Sequence, residues 1–321
     1  MKTWYRSLPL ILVGLLLIGI FASGCTGTPE QKPVPTTVAT PVPTSMVPGQ
    51  TGTPETAAPT PVSPAPPGVV SQIPGTIMVS GSTTVLPIAQ AAAEAYMDRN
   101  AQADIQVAGG GSSVGVQAVG EMTSEIGMSS RDLKSEERTR YPGLVEHAVA
   151  KDAIVVIVHP DNPVSAMTLD QVRGIYNGSI QSWDAVGGST SAFVVIGRDS
   201  ASGTREYFTE HVMKKEKYRS DMREMNSNGA IATYVSGNRY AIGYVGLGYL
   251  SDDLKGVKII SEGTAVESSV ATVLSGSYPI SRSLYMITNG EPTGLTRDYL
   301  DFVLSAEGQA IVTREGFVPL V

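Results

Sequence analysis

Short apolar runs alternate with longer amphipathic stretches from about residue 76 to the end of the chain. Runs rich in Val, Ile and Ala predict strands at Thr76–Val79, Ile105–Val107, Ile126–Met128, Ala153–Val158, Phe193–Ile196, Ala241–Val245, Val257–Ile260 and Leu284–Ile287. Helical spacing predicts helices at Pro87–Arg99, Val114–Met122, Leu169–Tyr176, Ser202–Lys214, Ala230–Val235 and Thr296–Leu304. This alternation predicts an α/β fold with parallel-rich sheets and helical crossovers.

The first 25 residues have the pattern of an export signal. Lys2 and Arg6 precede an apolar run over residues 8–21, and Ala22-Ser23-Gly24 then leads to Cys25. The run is shorter than the roughly 20 residues of a membrane span, which favours a signal peptide over a permanent span. The small-small-Cys ending is lipobox-like and predicts lipidation of Cys25, the chain's only cysteine. An ordinary cleaved signal is the alternative, because the same small residues suit that peptidase.

Residues 26–75 differ from the rest of the chain in composition. They hold 13 of the 21 prolines and ten threonines, which leaves little apolar material to bury. Proline favours extended polyproline II, so this segment is predicted to be a disordered, semi-rigid tether. The residues that follow are enough for two α/β lobes.

Charge and composition exclude several classes of protein. The formal charge of −7 and the pI near 5.1 argue against a nucleic-acid partner, which requires a basic face. A single cysteine excludes a disulfide framework and a cysteine-based zinc site, and three histidines leave little for a His-rich metal centre. We therefore expect neither a metal nor another cofactor.

Three predicted strand-to-helix junctions are rich in Gly, Ser and Thr. They are Gly81-Ser82-Thr83-Thr84, Gly109-Gly110-Gly111-Ser112-Ser113 and the segment from Arg198 to Thr204. Such residues can cap a helix, or they can present hydroxyl and N–H groups to an anion at its positive end. Three junctions of this kind, one with an arginine, favour a shared oxyanion pocket.

Enzymatic alternatives rest on two short patterns. Gly111-Ser112-Ser113-Val114-Gly115 fits the nucleophile elbow G-x-S-x-G and would make Ser113 the nucleophile of a serine hydrolase. That arrangement needs a histidine late in the chain, whereas the last one is His211. Asp199-Ser200-Ala201 is similar to a phosphatase nucleophile, but a two-metal site needs several more His and Asp ligands. We expect no enzymatic activity, with the serine hydrolase as the alternative class.

Four motifs in order resemble the phosphate-binding lipoproteins of ABC-type phosphate importers. They are Ser80–Thr84, Gly110–Ser113, Ile126–Arg131, and Arg198 with Ser202–Arg205. The resemblance covers about residues 76–321, with further agreement at Leu169–Trp183, Ala241–Gly246 and Phe302–Pro319. It implies a periplasmic-binding-protein-like fold (type II-like) in which two α/β lobes, joined by hinge strands, close on a ligand in the cleft. Lobe 1 would comprise 76–157 plus 284–321, and lobe 2 would comprise 158–283.

The same resemblance implies the function and the binding residues. It implies an extracytoplasmic solute-binding protein, a monomer, that captures inorganic phosphate and delivers it to the membrane permease of an ABC importer. A lipid on Cys25 would anchor it to the outer face of the cell membrane. Arg198 would donate a charge-assisted pair of hydrogen bonds, its alternative being a surface salt bridge with Asp199. The residues implied around the anion are Ser82, Thr83, Thr84, Ser112, Ser130, Arg198, Ser202, Gly203 and Thr204.

One departure from the family pattern concerns ligand specificity. Many relatives have an aspartate directly after the serine equivalent to Ser129, and here that position is Ser130. The aspartate would accept the proton of hydrogen phosphate and repel sulfate, which has none. Asp152 is the candidate replacement, with an ordinary loop carboxylate as the equal alternative, and the Ser130 hydroxyl is the rival acceptor. Sulfate or another tetrahedral oxyanion is therefore the alternative ligand.

Overall fold

A computed structural model describes residues 73–320. The predicted signal peptide, Cys25 and the tether up to residue 72 lie outside the described residues. The strands are β1 (Gly75–Gly81), β2 (Ala103–Gly109), β3 (Ile126–Ser129), β4 (Leu144–Val158), β5 (Ala166–Thr168), β6 (Val194–Arg198), β7 (Arg223–Met225), β8 (Ala241–Gly246), β9 (Lys255–Gly256), β10 (Lys258–Ser261), β11 (Thr264–Val266) and β12 (Ser281–Asn289). The helices are α1 (Leu86–Met97), α2 (Ser112–Gly120), α3 (Ser135–Arg140), α4 (Leu169–Asn177), α5 (Gly203–His211), α6 (Asn228–Ser236), α7 (Val270–Leu274), α8 (Gly294–Leu304) and α9 (Ala306–Arg314).

The first group of strands has the order β2-β1-β3-β12-β4. β1 is parallel to β2 and β3, whereas β12 runs antiparallel to both β3 and β4. Apolar side chains of α1, α8 and α9 pack with this sheet in one buried cluster that includes Ile88, Leu300 and Val312. Val116 and Val119 of α2 form a separate small cluster with Ile287 of β12.

The second group of strands has the order β4-β8-β6-β7, with β9 also paired to β4. A small separate sheet has the order β11-β10-β5. Tyr176, Phe208 and Tyr244 form the aromatic centre of the second core, and the Phe208 and Tyr244 rings stack with centroids 4.0 Å apart. Because β6 and β8 are parallel neighbours, the loop after β6 lies at the sheet edge from which α5 starts.

The fifteen-residue strand β4 belongs to both groups. It pairs with β12 from Leu144 to Ala153 and with β8 from Ile154 to Val158. The chain returns at the start of β12, where Ser281 stands opposite Ala153. We therefore call residues 73–153 and 281–320 lobe 1, and residues 154–280 lobe 2. These crossing points lie a few residues before the predicted boundaries, which fall after residue 157 and before residue 284.

The globular part begins slightly earlier than the predicted residue 76. Ile73 packs against the lobe 1 core, and its carbonyl accepts a hydrogen bond from Asn100 Nδ2 at 3.0 Å. The Gly75 N–H donates to the carbonyl of Gln102 at 3.2 Å. Residues 73–75, assigned to the tether by composition, are therefore part of lobe 1.

Candidate functional site

The three Gly/Ser/Thr-rich junctions meet where the two lobes face each other. Thr84 Oγ1 and Thr204 Oγ1, from opposite lobes, are 3.0 Å apart. The Ser113 N–H donates across the cleft to the Ala201 carbonyl at 3.1 Å. The three junctions that were predicted to share an oxyanion pocket therefore come together at one place in the fold, where the two lobes are in contact.

Every residue implied around the anion is buried. Burying this many polar groups is unfavourable unless each finds a partner. Among the described residues, the N–H groups of Gly203 and Thr204 and the Nη1 of Arg198 have no hydrogen-bond partner. The buried set is Ser82, Thr83, Thr84, Ser112, Ser130, Arg198, Ser202, Gly203 and Thr204.

The first turn of α5 presents backbone N–H groups to the cleft. Ser202 caps the helix, because its Oγ accepts a hydrogen bond from the Arg205 N–H at 3.2 Å. The N–H groups of Gly203 and Thr204 make no hydrogen bond to another described residue. They lie at the positive end of the helix dipole, where an anion is stabilised.

Gly203 is required by contact across the cleft. A Cβ at this position would lie 2.2 Å from Ser112 Oγ and 3.0 Å from Ser130 Oγ, both in lobe 1. These two hydroxyls are 3.3 Å from each other, and the Ser130 N–H donates to Ser112 Oγ at 3.1 Å. The hydroxyl pair therefore sits directly over the start of α5.

The loop after β1 is held by a residue that the sequence did not reveal. Asn228 Nδ2 donates to Thr83 Oγ1 at 3.1 Å and to Thr84 Oγ1 at 3.0 Å, while its Oδ1 accepts from the Gly246 N–H at 3.2 Å. Asn228 is the first residue of α6 and is completely buried. Its place directly after the capping Ser227 was the only local signal, and it predicts a helix start rather than a site.

Arg198 lies at the end of β6 with only 1% of its surface exposed. Nε donates to the Met225 carbonyl at 3.3 Å and Nη2 to the Asn226 carbonyl at 3.2 Å, whereas Nη1 has no hydrogen bond to a described residue. Burial lowers the pKa of Arg198, and the positive charge of Arg282 acts in the same direction. The alternative of a surface salt bridge with Asp199 is wrong, because the guanidinium is buried.

A second buried arginine, Arg282, lies beside the same loops. Its Nε and Nη2 donate to Asp152 Oδ2 at 3.0 and 2.8 Å, and Asp152 Oδ1 accepts from the Leu247 N–H at 2.8 Å. Burial raises the pKa of Asp152, while the Arg282 charge and these hydrogen bonds act to lower it. Arg282 belongs to none of the sequence motifs, but it stands directly opposite Asp152 in the β4–β12 pairing.

Charged side chains cluster at the edge of the cleft, in a group we call the rim cluster (Arg131, Lys134, Glu137 and Glu206). Arg131 of lobe 1 lies 2.6 Å from Glu206 of lobe 2, although its Nε–H does not point at the carboxylate. Lys134 Nζ lies 2.9 Å from the same carboxylate. Arg131 also pairs with Glu137 at 2.7 Å. The rim cluster therefore links the two lobes outside the hydroxyl-lined pocket.

Ser113, the candidate hydrolase nucleophile, forms a hydrogen bond with a cationic side chain rather than with a base. Its Oγ accepts a hydrogen bond from Arg131 Nη2 at 3.2 Å. A nucleophilic serine needs a neighbouring base to take its proton, and an arginine cannot do this.

Across residues 73–320 no group of three or more His, Cys, Asp or Glu side chains is placed to hold a metal ion. No helix in this range has the length and apolar character of a membrane span.

Known proteins with similar sequences share this two-lobed architecture. A model of the PBP superfamily domain matches residues 51–307, and the chain belongs to this superfamily. The phosphate-binding protein PstS of Bacillus subtilis is 33% identical over 247 residues, covering 77% of this chain and 81% of that protein. PstS of Borreliella burgdorferi is 32% identical, covering 75% of this chain and 89% of that protein. Within the superfamily, the chain therefore belongs to the PstS family of phosphate-binding proteins.

Solved structures show the same fold. A phosphate ABC transporter substrate-binding protein from Clostridium perfringens, crystallised with bound phosphate, matches with a TM-score of 0.72 and 37% identity, covering 77% of this chain and 100% of that one. An ABC-type phosphate transport receptor from Vibrio cholerae matches with a TM-score of 0.61 and 26% identity, covering 75% and 99%. The fold class is confirmed, and so is the resemblance to the phosphate-binding proteins of ABC importers, whereas lipidation of Cys25 stays a prediction. The family consists of substrate-binding proteins rather than enzymes, so the expectation of no enzymatic activity is also confirmed.

Proposed function

We propose that the protein captures inorganic phosphate outside the cytoplasm and delivers it to an ABC importer. The observation that supports this most directly is the closed, buried cleft, whose hydroxyl, N–H and guanidinium groups converge without an acceptor for all of them among the described residues. Two relatives are named phosphate-binding proteins, and one solved relative holds phosphate.

The charge of the cleft favours an anion. Arg198 and Arg282 each carry a positive charge, and Asp152 is the one carboxylate that pairs with either of them among the described residues. One positive charge is left over in a site shielded from water. Electrostatic attraction is much stronger in such a site than in solvent, so a bound dianion would offset the unfavourable burial.

The arrangement of donors suits a tetrahedral oxyanion. Thr83, Thr84, Ser112 and Ser130 would donate from lobe 1, and the N–H groups of Gly203 and Thr204 would donate from lobe 2. Arg198 would use Nη1 and the free side of Nη2, because carbonyls already hold its Nε edge. Ser82 and Ser202 would shape the loops, since their Oγ atoms accept from the Thr84 and Arg205 N–H groups.

Delivery requires a partner and a location. We propose a membrane permease as the partner, a monomeric binding protein, and anchoring to the outer face of the cell membrane through a lipid on Cys25. The lipobox-like sequence before Cys25 supports the anchor. Cys25→Ala should move the exported protein from the membrane fraction to the soluble fraction, and an unchanged distribution would contradict the anchor.

Titration calorimetry of the full chain with phosphate tests the function. Arg198→Ala should weaken binding by about two decades or more, because a hydrogen bond to a charged group contributes roughly 1.5–3 kcal/mol and two are lost. The control is Arg239→Ala, which removes an exposed lobe 2 arginine paired with Asp161 and should change nothing. No phosphate binding by the wild type would refute the function, and unchanged affinity in Arg198→Ala would remove Arg198 from the site.

A further inference from the structure

The Arg282 guanidinium has an unused donor inside the protein. Its side chain is 2% exposed, and Nη1 is buried without a hydrogen-bond partner among the described residues. An unpaired donor on a buried cation is costly, so such groups are usually satisfied by a ligand or a bound ion.

The position of the other donors shows where this group lies. Nε and Nη2 form the edge that faces Asp152. Nη2 also reaches Thr204 Oγ1 at 3.0 Å and Thr84 Oγ1 at 3.4 Å, from the two junctions on opposite sides of the cleft. Because Nη1 and Nη2 share one end of the planar guanidinium, that end is directed to the threonine-lined cleft.

Asp152 has little capacity left for a ligand. Oδ2 accepts from Arg282 twice and Oδ1 accepts from the Leu247 N–H, so every one of these partners is an N–H donor. A Cβ at Gly246 would lie only 3.1 and 3.2 Å from its two oxygens, so the Gly246 backbone covers the carboxylate closely. These contacts describe a carboxylate that fixes Arg282.

We propose that Arg282 is a second anion-binding arginine and that Asp152 is its positioning residue, not the acceptor of the ligand's proton. This inference rests on the proposed function and narrows it. Two guanidinium groups and a set of hydroxyls recognise charge and tetrahedral shape, and no free carboxylate among the described residues of the pocket repels an anion that lacks a proton. The ligand class is therefore the tetrahedral oxyanion dianions, with sulfate included beside phosphate.

The experiment titrates the full chain with phosphate and with sulfate by calorimetry. The wild type should bind both anions, and its Kd for sulfate should lie within about a hundredfold of its Kd for phosphate. A tenfold difference in Kd corresponds to about 1.4 kcal/mol. Asp152→Asn should leave the ratio of the two affinities unchanged within about threefold. The double variant Asp152→Asn/Arg282→Gln should weaken both anions by about 10- to 100-fold, since a charged donor is lost without leaving a buried charge unpaired.

Two controls separate binding from folding. The matched pair Arg219→Gln/Asp221→Asn removes an ion pair of lobe 2 between the partly buried Arg219 and the exposed Asp221, and it should leave both affinities unchanged. Arg282→Lys keeps a positive charge for Asp152 but lacks the planar end, so it should keep the ligand-free melting temperature and still lose affinity for both anions. This variant carries the test if the double variant does not fold.

The outcomes are distinct. Wild-type affinity in a folded double variant or in Arg282→Lys would show that Arg282 is structural only. A collapse of the phosphate-to-sulfate ratio in Asp152→Asn, or a wild type that binds phosphate but no sulfate, would overturn the role given to Asp152. Each of these results leaves phosphate capture intact, whereas a wild type that binds neither anion refutes the proposed function itself.

Discussion

Replacing Gly203 by alanine adds one methyl group where the two lobes touch. The new Cβ would lie 2.2 Å from Ser112 Oγ, 2.9 Å from Ser112 Cβ and 3.0 Å from Ser130 Oγ. Ordinary contact begins at 3.4 Å, so either the Ser112 hydroxyl must turn away from α5 or the lobes must separate by about an ångström. Separation by that amount would also make the Ser113 N–H to Ala201 carbonyl bond, now 3.1 Å, too long to count as a hydrogen bond.

The magnitude follows from the donors that lose the ligand. If Ser112 and Ser130 no longer reach an anion held by α5, two hydrogen bonds to a charged group are lost, each contributing roughly 1.5–3 kcal/mol. The sum corresponds to a loss of about two to four decades in phosphate affinity. Stability should not fall in parallel, because Gly203 has no positive φ and replacing such a glycine by alanine stabilises a protein by about 0.4–1 kcal/mol through the unfolded chain.

The measurement is calorimetric titration with phosphate, together with melting curves recorded without ligand. The control is Gly229→Ala, since Gly229 also lies in the first turn of a helix, α6, and a Cβ there meets nothing within 4 Å. We expect Gly229→Ala to bind like the wild type. Wild-type phosphate affinity in Gly203→Ala would refute the inference that the closed cleft is the binding state.

The rim cluster supports two further predictions. Glu206→Gln should weaken phosphate binding several-fold by speeding dissociation, because it removes the carboxylate that Arg131 and Lys134 contact across the cleft. Glu210→Gln on the same helix is the control. Equal phosphate dissociation rates for Glu206→Gln and the wild type in stopped flow would contradict the effect. Burial acts to raise the pKa of Glu137, but the hydrogen bonds from Arg131 and from the Lys134 N–H, together with the positive charges of both residues, outweigh it, so the pKa is lowered. The stabilisation is therefore present above the unfolded value of about 4.3 and is lost as pH falls through the lower folded value. The urea midpoints of the wild type and Glu137→Gln should therefore differ near pH 7 and converge below about pH 4. A difference between the two midpoints that stays constant at lower pH would argue against a stabilising charge on Glu137.

The repeating elements of the fold could be predicted from local sequence. Each predicted strand and helix overlaps an observed one, because these segments bury an apolar face. The first half of β4 was missed, since its side chains are mostly half-buried and include His147 and Lys151. Helix α9 was missed although Ser305 caps it, because Gly308 and Gln309 weaken its helical pattern.

The residues of the candidate site likewise divide into those that local sequence could predict and those that it could not. The hydroxyl-rich junctions are contiguous in sequence, so local pattern and family resemblance could find them. Arg282 and Asn228 act through partners more than a hundred residues away, at Asp152 and Thr84. Only the pairing of β4 with β12, and the closure of one lobe on the other, brings these groups together, and neither is encoded in a local motif.

The place of β12 in its sheet has a consequence for the order in which the protein can be assembled. β12 lies between β3 and β4, so these two early strands have no contact in the sheet until residues 281–289 have been synthesised. Lobe 2, in contrast, is one continuous stretch of chain, and all the strands of its part of this sheet, β4, β6, β7, β8 and β9, are present once residue 256 has been added. The lobe whose first strand is made earliest is therefore the last to complete its sheet, and the anion pocket, which needs both lobes, cannot form before nearly the whole chain is available.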